Sequence, residues 1–282
     1  MIFINGILIV NKPQGYTSRD VVNKLNIIFK TKKIGHTGTL DPIATGVLVV
    51  AIGSYTKLVN ELTSLDKEYI AEIKLGVSTD TGDISGKVLK ENYNYNISVE
   101  EILNTFLSFP KEYEQEVPKY SAVKINGKKL YEYARENIDI TLPKRNVKIY
   151  TLDLLEFNSG IIKFKTKVSK GTYIRSLISD LCKSLNVLGT MNSLVRIKQG
   201  SFDIKDSINL SDIDENTMLL NADQVLEIKE LKLNKKEANL VTNGNKLEKP
   251  IKNGFYNLIY NEEKICIYKF DDNIGKLVMF YK

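Results

Sequence analysis

Asp41 is followed by Pro42 and preceded by His36 within a glycine- and threonine-rich run, GHTGTLDPIATG. Gly35, Gly38 and Gly46 free the backbone there for close approach to another surface, and Pro42 fixes the chain directly after the carboxylate. Taken alone, the residues offer one carboxylate, one imidazole and a basic neighbourhood. An Asx-type turn, with Asp41 bonding its own backbone, is the plainer account of the carboxylate, and a surface or satisfied histidine is the plainer account of His36.

The surrounding pattern says which elements position this run. Gly6 to Val10 is a short apolar stretch ending at Lys12-Pro13-Gln14-Gly15, which reads as a strand and then a turn. Thr17 or Ser18 can cap a helix whose apolar positions Val21, Val22, Leu25, Ile28 and Phe29 follow helical spacing. Lys24, Lys30, Lys32 and Lys33 make its far end basic. After the loop comes the buried-looking strand VLVVAI. Tyr69, Ala71, Ile73 and Leu75 alternate with Ile70, Glu72 and Lys74, another strand. Ser98 and Glu101 form a capping-box pattern ahead of Ile102, Phe106 and Leu107.

Farther along, Asn126-Gly127 is a tight-turn signal before a short helix, KKLYEYAREN. Two strand-like runs bracket Asn158-Ser159-Gly160, and the second places Lys163, Lys165 and Lys167 on one face. From Phe157 through Ser179 there is no acidic residue. A helix after Gly171 carries Tyr173, Leu177, Ile178, Leu181 and Leu185 inward. From about Glu227 onward, short strands with turns at Asn243-Gly244, Asn253-Gly254 and Asp272-Asn273 read as a small all-β appendage. Paired strands and separate helices without a βαβ rhythm indicate an α+β body.

Composition narrows the function class. The 282 residues favour one larger and one smaller domain. Forty Lys and Arg against 34 Asp and Glu give a net charge of +6, a modest excess that suits a polyanionic partner without requiring one. Cys182 and Cys266 are the only cysteines and His36 is the only histidine, so neither a disulfide framework nor a metal site is expected. No GxGxxG or P-loop pattern indicates a nucleotide, and no cofactor is expected. The N-terminal segment reads as a strand, not a signal peptide, and the aliphatic run Val47 to Ile52 is too short to cross a bilayer. A cytoplasmic, monomeric protein is the expectation.

The wording of the central run goes further. GHTGTLDPIATGVLVVAIGSYTK closely resembles the motif around the nucleophilic aspartate of the TruB-type tRNA pseudouridine synthases. GILIVNKPQGYTS resembles that family's Lys-Pro-x-Gly entry, and KEYIAEIKLGVSTDTGDISG its Lys-x-Tyr strand with the following Thr-Asp-Thr turn. PKYSAVKINGKKLYEYAR, SKGTYIRSLISDL and SLVRIKQGSF fall in family order, so the resemblance covers Gly6 to Phe202. The chain differs where the family commonly has two arginines after the leucine, here Leu194-Val195-Arg196. It differs again where the family has two prolines, here Val117-Pro118.

The resemblance implies isomerisation of the uridine at tRNA position 55, in the T loop. It also implies a mixed, largely antiparallel bent sheet flanked by helices, with a small β-rich PUA-like domain, and boundaries at 1–226 and 227–282. Asp41 would be the nucleophile and Arg175 its ion-pair partner. Tyr69 would stack on the target base. Tyr173 and Leu194 would line the pocket, His36 would fill the gap left by the extruded uridine, and Lys12 would be a support residue, although a surface lysine is the plain alternative. Lys163, Lys165, Lys167 and Lys170, with Lys30, Lys32 and Lys33, become candidates for phosphate contact. A synthase acting on another RNA and a tRNA-binding or folding module that does not depend on catalysis are the competing readings.

Overall fold

The computed structural model of the chain describes residues 4–281. Contacts divide it into two bodies, one built from residues up to 41, 48–63 and from 205 on, the other from 42–47 and 64–204.

In the first body the strand Gly6–Lys12 lies between Thr45–Ile52 and the short parallel strand Ile208–Asn209. Thr45–Ile52, here the loop strand, is apolar and buried along almost its whole length. Only its residues from Leu48 on belong to this body. Ile34–His36 pairs with it antiparallel, His36 opposite Val50. The expected helix is Ser18–Ile28. Thr17 caps it, bonding the Asp20 backbone while the Asp20 carboxylate returns to the Thr17 N–H. Val21, Val22 and Leu25 are buried at the predicted spacing, and Phe29 is buried just beyond the last turn.

The C-terminal segment, also in the first body, is not all β. Its five-stranded sheet, in the order Ile228–Lys232, Gly254–Tyr260, Glu263–Asp271, Ile274–Phe280, Leu247–Glu248, is accompanied by the helix Lys235–Thr242. Asn234 and Glu237 cap that helix reciprocally. Asn243-Gly244 therefore ends a helix instead of turning a hairpin, with Gly244 at φ +72 as the usual C-terminal stop. Asp272-Asn273 does form a two-residue hairpin turn. So does Asn261-Glu262, which lacks the glycine that would have marked it. Val241, Leu258, Cys266, Tyr268 and Phe270 give the segment a core of its own. Asp223 ties it to the rest of the first body through Asn257 at 2.7 Å and Lys264 at 2.6 Å, and Lys269 adds an ion pair to Glu61 at 2.8 Å.

The second body is organised on a mixed sheet. Its order runs from the start of the loop strand to Gly189–Gln199, Lys67–Leu75, Ile161–Val168, Lys144–Asn158 and Glu112–Glu116. The contact with the loop strand is parallel and the others are antiparallel. Lys67–Leu75 shows the alternation expected of it, with Lys67, Tyr69, Ala71, Ile73 and Leu75 buried. Ser159 and Gly160, at φ +49 and +76, close the hairpin between the two long strands. The capping box of Ser98 and Glu101 opens Val99–Ser108, and Asn126-Gly127 turns a short hairpin before the helix Leu130–Arg135. The helix Ile174–Ser184 differs at both ends from the sequence pattern. Tyr173 is its N-cap and Leu185 its C-cap, while Ile174, Arg175 and Cys182 join the buried face. Sheets and segregated helices make the architecture α+β. Among the described residues no helix is long and apolar enough to cross a membrane.

Candidate active site

In the first body the structure builds the approach to Asp41 from the cap of a helix. Ser18, 1% exposed, is released from capping because Thr17 does that work. Its hydroxyl accepts the Leu40 N–H at 2.9 Å and lies 3.4 Å from the Leu40 carbonyl oxygen, to which it can donate. Thr37 fixes the other end of the approach, where its N–H and its hydroxyl both donate to the Val49 carbonyl, at 3.0 and 3.2 Å. Leu40 and Thr37 are buried, Asp41 is half-buried and Pro42 is exposed. The approach to Asp41 is thus anchored on two buried residues, with Asp41 itself half-buried.

His36 is half-buried at the end of its strand, and its Nδ1 accepts the Gly38 N–H at 3.4 Å. That bond favours the neutral tautomer with the proton on Nε2. Lys12 is not a surface lysine. Its side chain is fully buried, and Nζ donates to the carbonyls of Pro13 at 2.9 Å and Tyr16 at 2.6 Å. The Lys-Pro-Gln-Gly turn is therefore wrapped around its own lysine, which puts a fixed positive charge under the start of the helix. Thr17 bonding and the Lys12 charge hold the Asp20 carboxyl below its usual range.

In the second body Tyr69, 7% exposed, is registered between Thr166 on one neighbouring strand and Arg196 on the other. Leu194, also buried, stands opposite Ala71 on the same pair of strands. Arg175 uses its planar fork on two separate segments, Nη1 to the Thr81 carbonyl and Nη2 to the Tyr120 carbonyl, both at 2.8 Å. At 7% exposure, it is a guanidinium set into the protein and held by backbone oxygens. The Thr81 turn is itself tight, since Asp83 Oδ1 accepts from Thr81 at 3.1 Å and from the Ser85 N–H at 2.9 Å.

Tyr173, just ahead of Arg175, is oriented by a chain the sequence did not reveal. Its N–H donates to Gln115 Oε1 at 2.7 Å, Gln115 Nε2 donates to the Tyr113 hydroxyl at 2.8 Å, and that hydroxyl donates to Asp180 at 3.2 Å. Burial pushes the Tyr113 hydroxyl well above its ordinary range, so it stays a donor to Asp180. The predicted residues accordingly fall into two groups. Lys12, His36 and Asp41 belong to the first body; Tyr69, Tyr173, Arg175 and Leu194 belong to the second, Tyr69 and Leu194 on paired strands and Tyr173 and Arg175 at the start of one helix. Ser18, Thr37, Thr81, Gln115, Tyr120 and Arg196 were missed. Only the doubled Thr17-Ser18 hydroxyls, one more than a cap needs, could have hinted at one of them.

The lysine row is more neutral than its own segment suggested. Register with Lys67–Leu75 places Glu72 within 3.6 Å of Lys163 and Glu68 within 3.2 Å of Lys165. Bonding from Asn192 and the nearby Lys163 hold the Glu72 carboxyl below its usual range. Lys167 lies 5.6 Å over the Tyr150 ring, and Lys170 is exposed. Among the other candidates Lys30 is ion-paired with Glu215 at 2.9 Å, whereas Lys32 and Lys33 are exposed.

A sequence model of the TruB family pseudouridylate synthases, N-terminal domain, matches residues 26–174. The chain is 47% identical over 215 positions to the tRNA pseudouridine synthase B of Clostridium tetani, spanning 76% of this chain and 74% of that one. With the tRNA pseudouridine synthase B of Francisella tularensis it shares 37% identity over 284 aligned positions, 98% of this chain and 93% of the relative. Among solved structures, a chain in the crystal structure of a Cbf5-Nop10-Gar1 complex superposes with a TM-score of 0.70. That match has 24% identity and covers 98% of this chain and 84% of that one, a likeness of fold.

Proposed function

Because the chain belongs to the TruB family of pseudouridylate synthases, and so isomerises uridine to pseudouridine in tRNA, we propose that its target is the uridine at position 55 in the T loop. Asp41 is the nucleophile of this reading, Arg175 the cation that keeps it charged, and Tyr69 the residue that stacks on the base. Tyr173 and Leu194 supply pocket walls, and His36 supplies a ring face to fill the space the base leaves. Lys12 supports the turn that leads into the first helix.

The reaction breaks the C1′–N1 bond, turns the base and joins C1′ to C5. A proton leaves C5 and one is gained at N1, so nothing is oxidised and no group is lost. An ionised carboxylate either attacks C1′ as in retaining glycosidases or acts on the sugar so that a glycal forms. Both routes need a carboxylate that is held still and charged. The observation that supports reading Asp41 as the nucleophile is the anchoring of its approach, Leu40 by Ser18 and Thr37 by Val49.

We further read residues 1–226 as the catalytic domain and 227–282 as a PUA-like RNA-binding domain, supported by the separate sheet and core of the C-terminal segment. The protein is read as a cytoplasmic monomer. The deciding experiment offers purified protein an isolated T stem-loop without cofactor or metal and separates the nucleosides. Uridine and pseudouridine have equal mass, so retention time or chemical labelling is read. Conversion confined to position 55 is the expected result. A requirement for whole tRNA or a guide RNA, or conversion elsewhere, would defeat the assignment.

A further inference from the structure

Among the described residues Arg196 is the largest fully buried side chain, 1% exposed. Its strand is the middle one of three, and in register Arg196 faces Gly46 of the loop strand on one side and Tyr69 on the other. The side chain adds a contact of its own, Nε donating to the Val47 carbonyl at 2.6 Å. Gly46 completes the fit. It has φ +95, and a Cβ there would meet the Arg196 carbonyl oxygen at 2.3 Å, so the two backbones approach as closely as only glycine permits. Among the described residues before 64, Pro42–Val47 alone clusters with the second body. It is joined to Asp41 by a single peptide bond.

Taking a guanidinium out of water is costly, so a buried one is retained where its partners hold it firmly. Its charge is felt nearby. Together with burial, Arg196 brings the Lys67 ammonium down to about 8. A long, planar, permanently charged side chain at this point gains from rigidity, because the guanidinium fork loses less freedom per bond than an ammonium does.

We propose that Arg196 is a positioning residue for the isomerisation, fixing the segment that leads out of Asp41 in register with the strand that carries Tyr69. The inference rests on the reading of Asp41 as nucleophile. A carboxylate set on a loop needs its exit as firmly held as its entry, and a displacement of about 1 Å costs roughly a hundredfold in rate.

The test compares Arg196→Met and Arg196→Lys with the parent and with Asp41→Asn on a T stem-loop. Single-turnover conversion at saturating protein, filter binding, the urea unfolding midpoint and amide hydrogen exchange over 43–47 are measured together. Arg196→Met should convert about a hundredfold more slowly, with affinity within threefold and faster exchange at Gly46 and Val47. Arg196→Lys, whose ammonium can reach the same carbonyl, should recover about tenfold of that loss. A purely structural role would lower the midpoint while leaving the rate of the folded fraction unchanged, and that result overturns the proposal. So does a loss confined to affinity. If Arg196→Met does not fold, Arg196→Lys decides alone: a rate within twofold of the parent, with parental exchange, overturns it. Conversion by Asp41→Asn would remove the nucleophile reading, whereas an inert Asp41→Asn beside a parental Arg196 variant removes only this one.

Discussion

The Ser18 hydroxyl sits against both backbone polar groups of Leu40, 2.9 Å from its nitrogen and 3.4 Å from its carbonyl oxygen, one residue ahead of Asp41. Ser18→Ala leaves that buried N–H without its acceptor, at a cost of about 1–3 kcal/mol. Unfolding in urea should show this loss. Single-turnover conversion should fall more than tRNA affinity does, because the residue acts on the placement of the loop. A variant as active as the parent would show that Leu40 is held well enough by its own burial.

Asp41→Asn keeps the shape of the side chain and removes its charge. It should abolish conversion while filter binding stays within a few-fold of the parent. Arg175→Lys keeps a positive charge but cannot span the Thr81 and Tyr120 carbonyls with one planar fork. Conversion should fall steeply without vanishing, again with affinity little changed. A tRNA-binding module would be indifferent to both, and substantial turnover by Asp41→Asn would remove it as nucleophile.

Much of this arrangement was legible in the sequence, and the part that was not has identifiable physical causes. Local signals hold because they are decided locally. The Ser98–Glu101 capping box, the Asn126-Gly127 turn and the alternation from Lys67 to Leu75 all stand as expected. What failed depends either on partners distant in sequence or on local folding-back that no periodicity records. The neutral company of Lys163 and Lys165 comes from a strand ninety-odd positions earlier, in Glu72 and Glu68. Lys12 is buried because the turn after it folds back over its ammonium, which no periodicity announces. The helix Lys235–Thr242 was hidden by the two turn residues that end it.

That pairing separates the lysines experimentally. Neutralising an exposed lysine that meets a phosphate should lower the slope of log affinity against log salt by about 0.7 to 0.9. Lys32→Gln, Lys33→Gln and Lys170→Gln are expected to show that drop. Lys163→Gln and Lys165→Gln should change the slope less, since Glu72 and Glu68 already balance those charges. Slopes equal to the parent's in all five variants would place both clusters away from the RNA.

Lys67 makes a prediction about pH. Its ammonium titrates at about 8 in the folded chain against 10.5 ordinarily, because burial and the Arg196 charge both oppose the charged form. Between those two values the unfolded chain binds the extra proton, so this group adds stability as pH rises and withholds it below about 8. Urea unfolding of the parent and of Lys67→Gln should therefore diverge between pH 8 and pH 10, with the parent gaining on the variant. A constant difference across that window would mean the lysine keeps its ordinary affinity for protons.

The interleaving of the two bodies has a consequence for the order in which the protein can be made. Residues up to 41 and those from 48 to 63 leave the ribosome early, yet they share a body with residues from 205 on. The whole of 64–204 must be synthesised first. Domains usually fold as units in the order they emerge, but here the middle of the chain can settle while the segment holding Asp41 still waits for its core. Gly6–Lys12 acquires its parallel neighbour Ile208–Asn209 only then. Truncated translation products would carry the motif and lack the body that shapes it, so a prematurely terminated chain should be a substrate for proteases and not a partial enzyme.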